Sequence, residues 1–192
     1  MTEFLSFDAP PLDRREITRY AKSDDSTEFS AILDECIEKS WGVLNYNVGF
    51  CELKFTIKGE LRDFGDFSVR SSSLAKALND AKKVFLFIAS VGHGIDRLIA
   101  KYSRTSPLYA LTFNAIGTER VEALSDSSVK WLEEKHSLKA LPRFSAGYGD
   151  LPLSLQEDVF ALLRPEGRMG VFLSDSFIMS PSKSVTAFVG LK

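Results

Sequence analysis

The chain has 192 residues, of which 44% are hydrophobic and 26% are charged, so it can bury the core of one globular domain without a disulfide or a metal. Its formal net charge of −2 argues against wrapping nucleic acid, which requires many cations. No apolar run reaches the ~18 residues of a membrane span, and the N-terminus lacks the basic-then-apolar pattern of a signal peptide. We therefore expect a cytoplasmic protein that binds neither nucleic acid nor membrane.

Two helices are predicted near the N-terminus. Asp13 precedes a short helical pattern in which Ile17 and Tyr20 share a face. A second helix is predicted from about Ser26, with apolar residues at the spacing expected for burial: Phe29, Ile32, Leu33, Cys36, Ile37 and Trp41. The chain thus begins with a helical pair.

From Gly49 the apolar period changes to two, which predicts a half-exposed strand of an antiparallel sheet with Cys51, Leu53, Phe55 and Ile57 on its apolar face. Ser71–Ser73 predicts the start of a helix, because serine side chains can accept hydrogen bonds from free helical N–H groups. The continuous apolar run Val84–Ala89 predicts a central strand.

The later half alternates between helices and strands. Gly92–Gly94 permits a tight turn before a helix, and Pro107 begins a long core helix. Pro152 begins another helix that Pro165 and Gly167 end. Two closing strands are predicted, at residues 169–173 and 184–189.

These elements predict an α+β fold with a mostly antiparallel, twisted sheet packed with helices. The strands are not regularly separated by single helices, which disfavours a doubly wound dinucleotide-binding fold. We expect a single domain over 1–192, with the helical pair at about 13–45 and the sheet-containing core at about 46–192. Cys36 and Cys51 are isolated and are interpreted as reduced structural thiols.

A candidate ligand loop runs from Arg143 to Asp150, in the order Arg-Phe-Ser-Ala-Gly-Tyr-Gly-Asp. A guanidinium presents paired donors to a carboxylate, and an aromatic face attracts a cation. The glycines allow the backbone to approach a flat ring. This combination suits a zwitterionic ligand such as an amino acid. The alternative is a plain surface turn in which Asp150 caps a helix.

Together with the later stretch Asp175–Val185, this loop resembles the S-adenosylmethionine-binding reactivation domain of cobalamin-dependent methionine synthase and its free-standing bacterial relatives. The matching pattern is R-x-x-x-G-Y, then a polar helix, then an acidic-Ser-x-x-Met-x-Pro stretch that ends in a Ser-Val strand. The resemblance is clearest from about Gly92 onward. It implies the fold of that domain.

The resemblance also implies an S-adenosylmethionine site. By it, Arg143 holds the methionine part of the ligand, the main chain at Ser145 contacts the adenosyl part, and Tyr148 lines the pocket. Gly147 lets the backbone approach the ligand, and Glu122 of the long helix pairs with its amino group. The alternative for Glu122 is a solvated helix residue without a ligand role. The family has a further pocket acid near its N-terminus, for which this chain shows no match.

The implied function is reactivation of a cobalamin-dependent methionine synthase or related corrinoid methyltransferase. The chain would present the methyl group of S-adenosylmethionine to cobalamin on a partner domain, while a reductant such as flavodoxin supplies an electron. Cobalamin is expected only on that partner, because the cobalt-ligating D-x-H-x-x-G pattern is absent from the sequence. The chain would be an accessory component and not an independent catalyst.

Two alternatives remain open at this stage. The chain could be a non-catalytic adaptor for a corrinoid protein that kept the fold and lost the ligand. It could also be an enzyme that acts on another small substrate through His93, although a histidine in a turn is more often structural. Isolated histidines and cysteines do not predict a metal site.

Overall fold

A computed structural model describes residues 2–23 and 26–192. Its helices are α1 (Arg14–Ala21), α2 (Thr27–Trp41), α3 (Ser72–Ala77), α4 (Gly94–Tyr102), α5 (Pro107–His136), α6 (Gln156–Leu163) and α7 (Glu166–Met169), and a 3-10 turn covers Leu153–Leu155. Its strands are β1 (Glu3–Ser6), β2 (Asn47–Leu53), β3 (Thr56–Lys58), β4 (Leu61–Asp63), β5 (Ser68–Arg70), β6 (Lys83–Ser90), β7 (Phe172–Leu173), β8 (Met179–Ser180) and β9 (Ser184–Leu191).

The main sheet is antiparallel throughout, in the order β1-β2-β6-β9, and β6 occupies the interior position that its apolar run predicts. Side chains alternate between the two faces of a strand, and both faces of β6 are covered. One face contributes Phe85, Phe87 and Ala89 to a core, and the other contributes Val84, Leu86 and Ile88 to a second core. Burial on both faces explains the continuous apolar run.

Helices α1, α2, α4 and α5 cover one face of the sheet. The other face is covered by α3, α6 and the small antiparallel sheet β3-β4-β5. Phe64, between β4 and β5, stacks on Phe188 of β9 at a ring distance of 5.4 Å. The predicted fold class, an α+β domain with a mostly antiparallel sheet packed with helices, is confirmed.

Most helix starts follow the predicted signals. The Asp13 carboxylate accepts hydrogen bonds from the N–H groups of the first turn of α1, and the hydroxyls of Ser26 and Ser71 do the same for α2 and α3. Pro107 occupies the first turn of the 30-residue α5, where no N–H donor is needed.

The prediction of one half-exposed strand from Gly49 is wrong. The strand β2 ends at Leu53, and the chain then enters the separate small sheet at β3. Because β2 lies between β1 and β6, and the sheet is covered on both faces, its residues from Val48 to Cys51 are buried. The short edge strand β1, which pairs with β2, was not predicted.

Three further expectations are corrected. Trp41 lies at the end of α2 and is exposed, because the chain turns away there at Gly42. The strand predicted at 169–173 does not join the main sheet: Met169 ends α7, and within the described residues β7 pairs with β8 alone. Gly167 lies within α7, and the preceding helix α6 ends at Leu163, followed by Arg164 in a left-handed conformation.

A buried ion pair joins the N-terminal segment to α5. Arg120 is fully buried and donates hydrogen bonds to the neighbouring Glu119 carboxylate and to the carbonyl oxygens of Pro10 and Pro11, at 2.6 and 2.8 Å. Glu119 in turn accepts a hydrogen bond from the N–H of Asp13 at 3.1 Å. The pair therefore fixes the backbone just before α1 against the long helix.

Replacing Arg120 by methionine should destabilise the protein by about 3–5 kcal/mol, because Glu119 would stay buried without its cation. Urea denaturation measures this change. The matched control is Arg15→Met, since Arg15 is an exposed arginine on α1, and a change within about 0.5 kcal/mol is expected there. Equal effects of the two substitutions would contradict this assignment.

Candidate functional site

A cleft of about 540 Å³ lies at the outer edge of β9. Its walls are the loop that begins at Arg143 and the loop that begins at Phe177. Its floor includes the first residues of β9 and the side chain of Gln156 at the start of α6, and Glu122 of α5 lines it from the opposite face of the sheet. The cleft thus lies between the two helical layers, where the sheet ends.

Strand pairing decides where the Arg143 loop leaves the sheet. Lys139 and Lys192 exchange backbone hydrogen bonds, the N–H of Leu141 donates to the carbonyl of Gly190, and Phe144 and Phe188 exchange hydrogen bonds of 3.0 and 2.8 Å. The segment therefore covers the C-terminal half of β9 and then diverges. In antiparallel strands every second residue directs its backbone to the same edge, so Thr186 directs its N–H and C=O into the cleft.

The loop then closes in a compact turn. Gly147 has a φ of +91° and donates its N–H to the carbonyl oxygen of Leu151 at 2.9 Å. The N–H of Tyr148 donates to the carbonyl oxygen of Ser145 at 3.3 Å. At Gly149 a Cβ atom would lie 2.5 Å from the hydroxyl oxygen of Ser73. Glycine at these two positions lets the turn form and pack closely against α3.

Asp150 fixes the far end of the loop to α3. Its carboxylate accepts hydrogen bonds from the hydroxyl of Ser71, from the N–H and hydroxyl of Ser72 at 2.7 and 2.8 Å, and from the N–H of Ser73 at 3.1 Å. The hydrogen bonds from the two serine hydroxyls, with the backbone N–H groups, hold the pKa of Asp150 far below its usual range. The capping role considered for Asp150 is observed, and the same contacts fix the end of the Arg143 loop.

Arg143 lies at the inner side of the cleft and is bound by two acids of α5. Its Nη2 atom donates to Glu122 Oε2 at 3.1 Å and to Asp126 Oδ1 at 2.8 Å. The exposed fractions of the three side chains are 24% for Arg143, 42% for Glu122 and 75% for Asp126. The guanidinium of Arg143 is thus partly buried, and Asp126 is more exposed than Glu122.

The opposite wall is held in a similar way. The Asp96 carboxylate of α4 accepts hydrogen bonds from the N–H and hydroxyl of Ser182, at 2.7 and 2.6 Å. Ser174 and Ile178 close the tip of the β7–β8 hairpin, where Phe177 has a φ of +62°, an uncommon conformation for a bulky residue. Phe177 and Ile178 line the cleft opposite the Arg143 loop.

A second cation, Lys183 just before β9, is bound by α5 one and two turns before Glu122. Lys183 donates to Asn114 Oδ1 at 2.8 Å and to Thr118 Oγ1 at 3.0 Å, and burial lowers its pKa. Its side chain passes over Gly117, where a Cβ atom would lie 2.9 Å from Lys183 Cγ. Lys183 lies between Ser182 and Ser184, which both line the cleft, although Lys183 itself is not among the lining residues.

The structure brings most of the predicted site residues together. Arg143, Ser145, Tyr148 and Glu122 all line the one cleft. Gly147 is not among the lining residues, and its contribution is the turn that carries Tyr148. Their roles in ligand binding stay predictions.

Several residues of the cleft and its support were missed from sequence. Gln156, whose side chain accepts a hydrogen bond from Thr186 at 2.9 Å, and Asp126 were not singled out. Asp126 follows Glu122 by four residues on a predicted helix, so helical spacing could have identified it. Gln156 gave no such signal, since its place depends on how α6 packs against β9.

His93 lies outside the cleft. Its Nε2 atom is 3.0 Å from the carbonyl oxygen of Gly170, a contact that holds α4 to the end of α7. Within residues 2–23 and 26–192, no group of three or more histidine, cysteine or acidic side chains could hold a metal, and no helix is long and apolar enough to cross a membrane. Both cysteines are buried and unpaired, and burial raises the pKa of Cys36 to about 12.

Asp150→Asn should lower the melting temperature by a few degrees at pH 7, because an amide cannot accept from all four donors. A lowered folded-state pKa means that the stabilisation is complete above the unfolded pKa of about 4 and is lost as the pH falls further. The difference between wild type and variant should therefore shrink below about pH 4 in thermal melts.

The matched control for that measurement is Asp175→Asn, at an exposed aspartate whose side chain makes no hydrogen bond within the described part of the chain. We expect no change in its melting temperature at either pH. A difference between Asp150→Asn and wild type that stays constant down to pH 3 would contradict the assignment.

No protein-family model and no curated protein matches this chain. A crystal structure of the MetH reactivation domain bound to AdoHcy is similar, with a TM-score of 0.70 and 11% sequence identity, over 99% of this chain and 78% of that chain. At this identity the similarity shows the fold alone. The fold that the sequence resemblance implied is confirmed: the chain has the fold of the MetH reactivation domain.

Proposed function

We propose that the cleft binds S-adenosylmethionine and that the protein presents the methyl group to cobalamin on a partner corrinoid protein. The observation that carries the proposal is the cleft itself, in which Arg143, Glu122 and Tyr148 line one volume of about 540 Å³. That volume is within the ~300–1,000 Å³ usual for small-molecule sites. A solved structure with this fold, the MetH reactivation domain, was crystallised with AdoHcy bound.

The amino-acid end of the ligand fits the inner side of the cleft. Arg143 supplies a partly buried guanidinium for the carboxylate, and Glu122 supplies an anion for the ammonium. These two residues are in contact at 3.1 Å, so a zwitterion bound beside the pair can place its carboxylate on the guanidinium and its ammonium near the Glu122 carboxylate. The charges of the site and of the ligand are therefore complementary.

The adenosyl end fits the open side of the cleft. The loop main chain at Ser145 and the backbone of Thr186 offer hydrogen bonds to an adenine edge or a ribose, and Tyr148 and Ile178 offer apolar surface. Tyr148 and Ile178 are 68% and 63% exposed at the mouth of the cleft. An aromatic ring at the mouth suits a sulfonium, with a typical gain of about 0.5–2 kcal/mol.

The protein's contribution is positioning rather than acid–base catalysis. The chain would hold the methyl sulfonium at the mouth of the cleft, where the cobalamin of a partner domain can approach, and a reductant such as flavodoxin would supply the electron. Orientation of two reactants can by itself lower a barrier by several kcal/mol. Exposed apolar side chains at the mouth, including Leu153, are suited to contact with a partner surface.

Arg143→Ala should weaken S-adenosylmethionine binding about 10- to 100-fold, because a charge-assisted hydrogen bond of about 1.5–3 kcal/mol is lost. Isothermal titration calorimetry measures the change. Arg104→Ala is the matched control, since Arg104 is an exposed arginine outside the cleft, and its affinity should equal that of wild type. No heat from wild type at millimolar ligand would remove the proposal.

The partner step is tested with a corrinoid methyltransferase domain held in the cob(II)alamin state. In the presence of the protein, S-adenosylmethionine and reduced flavodoxin, the absorbance spectrum should change to that of methylcobalamin. Arg143→Ala should slow this change, and Arg104→Ala should not. Binding of S-adenosylmethionine without any spectral change would argue against the methyl-transfer step, and partner binding that the ligand leaves unaltered would favour the adaptor alternative.

A further inference from the structure

The hydrogen bonds of Arg143 leave no complete edge of the guanidinium free. A guanidinium can grip a carboxylate with two parallel hydrogen bonds along either of two edges, Nε with Nη2 or Nη1 with Nη2. Both edges use Nη2, which carries two hydrogens. In the structure Nη2 donates to both Glu122 and Asp126. A ligand carboxylate can therefore form the two-point contact only if one of these acids is released.

Asp126 is the acid that can be released at the lower cost. Its side chain is 75% exposed and accepts a hydrogen bond from no other side chain in the described residues, so water can replace Arg143 around its carboxylate. Glu122 is less exposed and lines the cleft, where it remains available to a ligand ammonium. Asp126 itself does not line that cleft.

We infer that Asp126 is a specificity-determining residue of the cleft: it stays hydrogen-bonded to Arg143 until a ligand carboxylate displaces it. The inference rests on the proposed function and deepens it by naming the ligand class, which is nucleosides that carry a free α-amino-acid end. A nucleoside without that end has no anion with which to release Asp126. Asp126 therefore lowers the affinity for carboxylate ligands and leaves the affinity for neutral ones unchanged.

Two ligands distinguish this exchange from a general effect of charge. S-adenosylhomocysteine carries the amino-acid end, and 5′-methylthioadenosine has the same nucleoside and thioether without it. In calorimetric titrations, Asp126→Asn should bind S-adenosylhomocysteine about two- to fivefold more tightly than wild type, the size expected for an exposed ion pair. Its affinity for 5′-methylthioadenosine should be unchanged.

The matched control is Glu134→Gln, which removes one negative charge from the same helix at an exposed position that makes no contact with Arg143. It should leave both affinities at the wild-type value. A second control places Asp126→Asn in the background of Arg143→Ala. If Asp126 acts by competing for Arg143, the gain in affinity should disappear in that background.

Equal or weaker binding of S-adenosylhomocysteine by Asp126→Asn would overturn the inference, since it would mean that Asp126 orients Arg143 instead of competing for it. An equal gain for Glu134→Gln or for 5′-methylthioadenosine would overturn it in favour of a general charge effect. If wild type binds S-adenosylhomocysteine and only the Asp126 result fails, the proposed function stands. If neither wild type nor any variant binds it, both fall.

Discussion

The segment Lys139–Phe144 pairs with only the C-terminal half of β9, and this partial pairing is the constraint on which the cleft depends. At Phe144 the segment leaves the strand, so the backbone from Ser184 to Ala187 borders the cleft instead of another strand. The edge of a sheet exposes hydrogen-bonding groups that need partners. Here the opening lies between two helical layers, which turns an exposed edge into a cleft.

Charge along α5 gives this cleft its chemistry. Asn114, Thr118, Glu122 and Asp126 follow one another at intervals of four residues and therefore form one stripe on the helix. The first two bind the ammonium of Lys183, and the last two bind the guanidinium of Arg143. Lys183, just before β9, and Arg143, at the start of the loop, are thus held by the same helix, and the proposed zwitterionic ligand uses Arg143.

Much of the fold follows from local patterns in the sequence. The caps at Asp13, Ser26 and Ser71, the proline that begins α5 and the apolar run of β6 each predict their elements correctly, because each signal acts within a few residues. The errors concern tertiary pairing. An alternating pattern does not reveal that β2 and β3 belong to different sheets, nor that β7 pairs with a hairpin partner.

The candidate site was predictable to a smaller extent. The Arg143 loop and Glu122 were found through the family resemblance, and the structure places them on one cleft. The acids that fix the walls, Asp150 and Asp96, act on residues that are 77 or more positions away, so no local pattern could assign their partners. The two ion pairs of Arg143, with Glu122 and Asp126, likewise depend on how the loop packs against α5, which no local pattern shows.

The most direct test of this account is a crystal structure of the protein with S-adenosylhomocysteine bound. The account predicts the ligand in the cleft beside β9, with its carboxylate on Arg143, its ammonium near Glu122 and Asp126 turned away from the guanidinium. A ligand at another site, or one in the cleft whose carboxylate makes no contact with Arg143, would contradict it.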